Sequence, residues 1–184
     1  MSDDYVRPAI PADAAAIAYV HVEGWKTTYR SIIPDSVLDE LSFEQRQAFW
    51  AEMLTAPRPD SVAMVGCDPT GVIQGFAVGG RERTSQLGCD GELMAIYLLS
   101  EARGRGLGSL LVRRVAQELG IMGFGSMAVW VLERNPYRRF YEKLGGELIG
   151  SQQIDRGGQS LEELAYGWRD IDSLISRASG ESTG

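Results

Sequence analysis

The sequence predicts a mixed α/β fold, a mostly antiparallel central sheet with flanking helices, and three observations point there. Apolar residues recur at helical spacing through the first third of the chain. From Ser61 the pattern changes to short apolar runs separated by turn residues, as strands require. At residues 101–111, EARGRGLGSLL then joins a strand-like run to a helix-like one through three glycines. With 184 residues, 44% of them hydrophobic, one domain is expected over residues 1–177. The last stretch, ASGESTG at 178–184, has the composition of a frayed tail.

The first element is a short extended piece ending at Pro8, followed by a helix that Asp13 can cap, with Ile17, Val20 and Trp25 facing inward. PDSVLDELSFEQRQAFWAEML reads as a short helix and then a longer one capped by Ser42. Phe43, Phe49, Trp50 and Met53 form its apolar set, and Pro57 and Pro59 end it. SVAMVGC and VIQGFAVGG make a hairpin around DPTG. After the loop RERTSQLGCDG, ELMAIYLL is a strand that runs into the glycine segment. The following helix sets Leu107, Leu110, Leu111, Val115 and Leu119 against Arg113, Arg114, Gln117 and Glu118, and Gly120 stops it. SMAVWVL is a buried strand, NPYRRFYEKLGG a short helix, and ELIGSQQID with QSLEELAYGW a closing hairpin across RGG.

The charge balance, 18 basic against 25 acidic residues, weighs against nucleic acid and anionic membranes as partners and favours a cationic one. Basic residues nevertheless gather between Arg103 and Arg114, as for a small anionic ligand. No apolar run approaches membrane-spanning length, and MSDDYVRPAI lacks the features of a secretory signal, so a cytoplasmic protein is expected. Cys67, Cys89 and the single His21 offer neither a disulfide framework nor a metal site, so no metal is expected. His21 reads as structural.

Gly106 and Gly108 let the main chain approach a ligand, and a helix start beside them offers unpaired N–H groups and a positive dipole end. This makes a phosphate seat; a tight strand-to-helix turn explains the same glycines equally well. A dinucleotide fingerprint would need glycine where Ser109 stands, and the Gly-Lys-Ser/Thr of a Walker loop is absent.

In their order, these segments resemble the GCN5-related N-acetyltransferase family and its acyl-CoA N-acyltransferase (GNAT) fold. That family joins a strand to a helix through Arg/Gln-x-x-Gly-x-Gly/Ala, matched here by Arg103, Gly104, Arg105, Gly106, Leu107 and Gly108. ELMAIYL resembles its fourth strand, NPYRRFYEKLGG its Asn-to-Tyr segment, and VHVEGWKTTYRSIIPDSVLDELS the front helices of many bacterial members. The resemblance implies a sheet splayed between its fourth and fifth strands, with acetyl-CoA as acetyl donor in the gap. Its pyrophosphate would rest on the N–H groups of Arg105, Gly106 and Gly108, with Arg103 nearby and Gly104, Leu107 and Ser109 in the same binding segment. Ile96, Tyr97 and Leu98 match the strand along which the thioester lies, with the Leu98 N–H as donor to its carbonyl.

The same resemblance makes Tyr141 the proton donor to the departing thiolate and brings Asn135 to the pantetheine arm. Asn135 with Pro136 is also a good helix start, and a tyrosine at helical spacing also suits a core. Gly146 stands where the family has an aromatic residue. Glu92 matches a general base of some members, and reads equally as a strand-end ion-pair partner. Trp25 and Tyr29 lie where the acceptor pocket is commonly shaped, and Trp25 also suits packing beneath the sheet. Asp35, Asp39 and Glu40 are candidates to attract a cationic amine, or a solvated helix face.

The expected reaction is direct attack of a primary amine, on a small molecule or peptide, in a ternary complex with acetyl-CoA. A non-catalytic coenzyme A sensor or interaction module, or an enzyme using another acyl-CoA or a protein amine, are the alternatives. The closing hairpin is a candidate homodimer surface.

Overall fold

Seven strands form one sheet in the order β1-β2-β3-β4-β5-β7-β6. Every neighbouring pair is antiparallel except β4 with β5. The computed structural model describes residues 4–176, so the tail expected at 178–184 lies outside the described residues. The strands are β1 (Tyr5–Pro8), β2 (Ser61–Cys67), β3 (Ile73–Arg81), β4 (Gly91–Leu98), β5 (Met127–Leu132), β6 (Glu147–Arg156) and β7 (Gln159–Trp168). The helices are α1 (Ala14–Tyr29), α2 (Asp35–Asp39), α3 (Phe43–Thr55), α4 (Leu107–Ile121), α5 (Arg139–Lys143) and α6 (Ile171–Ser176).

β4 and β5 run together for only two residue pairs, Gly91 with Met127 and Glu92 with Ala128, and then part. The cause lies in β4. Its register against β3 steps from Val78 opposite Ala95 to Gly79 opposite Leu93, which leaves Met94 as an extra, bulged residue. A bulge bends its strand and sharpens the local twist, and here it turns β4 away from β5. β5 stays paired with β7 as far as Leu132, so a wedge opens in mid-sheet.

α4 covers one face of the sheet. Leu107, Leu111, Val115 and Leu119 meet Met64, Ala77, Leu93 and Met127 in the larger core cluster. Two strand glycines make this approach close. A Cβ on Gly66 would lie 2.7 Å from Leu107, and one on Gly79 would overlap Val115. α1 and α3 cover the other face, where Ile17, Val20 and Trp50 pack on Val65 and Phe76. A smaller cluster of Ile33, Leu132 and Leu161 ties the β6–β7 hairpin to the α1–α2 region.

Several local expectations are corrected. Asp13 does not cap α1; its carboxylate takes two hydrogen bonds from Arg7, at 2.7 and 2.9 Å, and one from the Ile10 N–H. Phe43 and Phe49 are exposed, and Trp50 alone is the buried residue of α3, because one narrow stripe of that helix faces α1 and the sheet. Leu110 is exposed, and Val112 and Ala116 fill the buried face in its place. α4 starts at Leu107 and runs past Gly120 to Ile121; the left-handed residue beyond its end is Gly123, with φ of +88°. α6, whose Ile171 and Leu174 dock beside α4, lies in a polar stretch with only one turn of apolar spacing to announce it.

Gly79→Ala is expected to destabilise the fold by about 1–3 kcal/mol through overlap with Val115. Gly120→Ala, whose methyl meets no atom within 4 Å in a helical segment, is expected to stabilise it by up to about 1 kcal/mol. Urea midpoints of the two variants measure both signs.

Candidate active site

The wedge between β4 and β5 is a cavity of about 380 Å³. The glycine segment closes one end of it, α5 and the Asn135 turn flank it, and the end of α1 borders it. Gly104 and Gly106 hold φ of +74° and +91°, which side-chain-bearing residues rarely adopt, and a Cβ on either would meet no atom within 4 Å. They therefore bend the chain and leave open space above it. Gly108 lies inside the first turn of α4 in ordinary helical geometry, where a Cβ would touch the Phe140 ring at 3.4 Å.

No side chain caps α4, and its first internal hydrogen bond runs from the Leu110 N–H to the Gly106 carbonyl at 3.1 Å. The N–H groups of Gly106, Leu107, Gly108 and Ser109 make no hydrogen bond among the described residues. Four free donors at the positive end of a fifteen-residue helix form a seat for an anion. The basic residues near it have other partners. Arg105 pairs with Asp4 at 2.9 Å, and Arg114, farther along α4, with Glu118 at 3.1 Å.

Arg103 is a brace. Its guanidinium donates to the Leu98 carbonyl at 3.1 and 3.3 Å, to Thr27 at 2.9 Å and to the Tyr137 hydroxyl at 2.8 Å, and it lies 4.8 Å from the centre of the Tyr137 ring. It thus joins the end of α1, the end of β4 and the turn before α5. Of the expected binding segment, main-chain N–H groups face the anion seat, while the Arg103 side chain is committed to protein oxygens.

The Leu99 N–H bonds the Gln74 carbonyl of β3 at 2.9 Å. Antiparallel alternation then turns the main-chain groups of Tyr97 toward β3 and those of Ile96 and Leu98 toward the wedge. Tyr97 sends its side chain to the opposite face of the sheet from the α4 core, where it stacks on His21 with centroids 5.3 Å apart.

Tyr141, on α5, lines the wedge and is buried, with its ring against Tyr166 at 6.1 Å. Burial, with Tyr29 nearby, pushes its hydroxyl well above the usual tyrosine range, so the proton stays on at neutral pH. Asn135 also lines the wedge and does not start a helix. Its Oδ1 accepts the Tyr137 N–H at 2.9 Å in a turn, and α5 begins later, at Arg139. Gly146 has no room for an aromatic side chain: a Cβ there would lie 2.9 Å from the Tyr141 carbonyl and 3.0 Å from the Trp168 ring. Trp168, anchored by its N–H to the Leu144 carbonyl at 3.0 Å, supplies the aromatic bulk from β7.

A second cleft, of about 620 Å³, lies on the α1 and α3 side. The two share Tyr29, Met94, Ala95, Tyr97, Trp130 and Val131, so they meet at the bulge of β4. Trp25 stands in the wall of this second cleft, partly buried, edge-on to Tyr29 at 5.1 Å. Tyr29 lines both cavities; burial raises its hydroxyl above the usual range, with hydrogen bonds to Tyr97 and Asn135 opposing.

Glu92 borders the second cleft and not the wedge that holds Tyr141. Both its oxygens are held by Arg83, at 2.6 and 3.1 Å from the guanidinium, and the Arg83 N–H adds a third bond at 3.2 Å. The ion-pair reading therefore describes its geometry: three of the roughly four in-plane acceptor sites of the carboxylate are taken, all of them by Arg83. Arg83, Arg46 and Trp130 carry no recognisable signal in sequence; the fold alone brings them to this cleft. Asp35 and Asp39 line a separate shallow depression beside α2.

A family model described as FR47-like protein matches residues 76–154, from β3 through β6. YuaI of Bacillus subtilis, called an uncharacterised N-acetyltransferase, is 38% identical over 169 residues, covering 92% of this chain and 95% of that protein. Two solved structures share the fold. YncA of Salmonella typhimurium, a putative acetyltransferase with its cofactor acetyl-CoA, has a TM-score of 0.68 at 20% identity, covering 93% of this chain and 95% of its own. The PaiA N-acetyltransferase of Thermoplasma acidophilum, in complex with coenzyme A, has a TM-score of 0.65 at 18% identity, covering 88% and 98%.

Burial, with Arg46 adding to it, pushes His21 down from 6.5 to about 4. Between those two values the unfolded chain binds the proton and the folded one does not, so stability falls as pH drops through that window. The expected loss is about 3 kcal/mol between pH 7 and pH 4. His21→Asn, which keeps an acceptor for Trp50, is expected to flatten this part of a urea-stability profile against pH.

Proposed function

This chain belongs to the GCN5-related N-acetyltransferase family, and from that premise we propose how its geometry moves an acetyl group from acetyl-CoA to a primary amine. The observation that carries the reading is the meeting of two cavities at the bulge of β4. One is a narrow wedge with an anion seat at its end; the other is a wider cleft open to solvent. The donor occupies the first and the acceptor the second, so the amine attacks the thioester directly in a ternary complex. The open space above Gly104 and Gly106 and the free N–H groups of α4 fit a pyrophosphate. The outward main-chain groups of Ile96 fit an amide of an extended pantetheine arm, which takes the place of the missing strand pairing, the Leu98 N–H being left for the thioester, and Asn135 flanks that arm.

In the transfer, the lone pair of the neutral amine adds to the carbonyl carbon. The charge gathering on the carbonyl oxygen is met by a main-chain N–H of β4, for which Leu98 is our assignment. The C–S bond then breaks, the thiolate takes the Tyr141 proton, and the proton released by the acylated nitrogen passes through solvent to restore the tyrosine. Desolvation keeps the Tyr141 proton in place at neutral pH, and a thiolate leaving into the same buried wedge is desolvated with it, which raises its own affinity for a proton. Glu92 holds Arg83 in the wall of the acceptor cleft, and solvent in that cleft takes the ammonium proton of the incoming amine. We place the reaction in the cytoplasm; β6, an open sheet edge, is the strand through which a homodimer would pair.

Tyr141→Phe is expected to lower kcat roughly 100-fold or more with little change in the KM for acetyl-CoA. Coenzyme A release by thiol detection, across small amines and short peptides, measures it; a near-normal rate assigns Tyr141 to packing. Gly108→Glu places a carboxylate at the anion seat in allowed helical geometry and is expected to abolish coenzyme A binding by calorimetry while the circular dichroism spectrum is kept.

A further inference from the structure

We propose that the amine acceptor itself carries an oxyanion, of the carboxylate or phosphonate class, held on the His21–Arg46 side of the acceptor cleft. This rests on the acetyltransferase reading above and adds the substrate class. The chain as a whole carries a net charge of −7, yet its acceptor cleft has the opposite sign. Three arginines line it, Arg46, Arg83 and Arg156, against two carboxylates, Glu92 and Glu163. Arg83 and Glu92 cancel in their two-bond pair, and Glu163 already accepts the Gln152 amide at 2.9 Å. The Arg46 side chain makes no ion pair or hydrogen bond among the described residues, and that of Arg156 only one, to its neighbour's carbonyl.

The neutral groups of the cleft lean the same way. The Trp50 N–H donates to Nδ1 of His21 at 3.2 Å. A neutral imidazole that accepts at Nδ1 carries its proton on Nε2, so His21 is a donor at its remaining nitrogen. That nitrogen has no partner among the described residues, and the ring lines the cleft. The indole N–H of Trp130, in the wall shared by both cavities, is buried without an acceptor among the described residues. Unspent donors and an unpaired guanidinium call for a ligand rich in acceptor oxygens. His21 also stacks on Tyr97, which stands at the junction with the wedge, so an oxyanion seated there belongs to the same molecule whose amine meets the thioester. A polyamine, with donors only, would leave all of these groups unsatisfied.

The test follows coenzyme A release by the full chain with matched acceptors: methionine and its decarboxylated amine, a short ω-amino acid and the alkylamine of equal length, aminoethylphosphonate and ethylamine, with spermidine alongside. At least one oxyanion-bearing member is expected to exceed its partner in kcat/KM by roughly 10- to 100-fold, and the arms tell carboxylate from phosphonate. Arg46→Gln is expected to collapse that ratio toward one, mainly through KM, with coenzyme A affinity by calorimetry confirming the folded protein. Equal or better use of the partner amines or of spermidine, or a ratio unmoved by Arg46→Gln, overturns the proposal while the acetyltransferase reading stands. No release with any acceptor, coenzyme A being bound, overturns both.

Discussion

The parting of β4 from β5 is the constraint on which the rest of the structure depends. A parallel pair that ends after two residue pairs leaves strand edges open in the middle of a sheet, where main-chain groups need partners. The bulge at Met94 starts the separation, and each side of the wedge is then fixed by other means. β4 is held by β3 and by α4, which sits so close that two strand positions accept only glycine beside Leu107 and Val115. β5 is held by β7 along its whole length. What remains between them has one bonding pattern on offer, that of a strand edge, together with an anion seat at its end.

Arg103 completes this arrangement in a way that its motif conceals. A positive residue before a glycine loop invites the reading of a phosphate ligand, whereas its guanidinium spans three segments of protein. The electrostatic attraction at the loop falls to the backbone and the dipole of α4. Such a division keeps the seat in place before a ligand arrives, since main-chain donors fixed by a helix lose no rotamer freedom on binding.

The elements of the sheet and the glycine segment were legible because their signals are local: alternating apolar runs, turn residues, and glycines at the mouth of a helix. Tyr141 and Tyr29 were legible as positions in a pattern. The second cleft was not, since Arg46, Arg83, Trp130 and Arg156 come from four separate segments and meet only through the curvature of the sheet. Global charge says little about this cleft for a related reason: the acidic residues that dominate the count lie mostly outside it, and it holds two of them beside three arginines. Glu92 showed itself only as a carboxylate at the start of a strand, and its partner lies in a loop with no periodicity to read. Gly146 departs from the family pattern in sequence, and the space an aromatic side chain would take there is filled by Trp168 from another strand.

The small cluster that ties the β6–β7 hairpin to the α1–α2 region sets an order of events during synthesis. Residues 93–141, which make most of the wedge, leave the ribosome before Gln152, Arg156 and Glu163, which finish the far wall of the wider cleft. The near wall, from His21 to Met53, must wait for that late hairpin to arrive. The cleft therefore joins early and late segments of the chain and is complete only once the β6–β7 hairpin has been made, which exposes it to translational truncation.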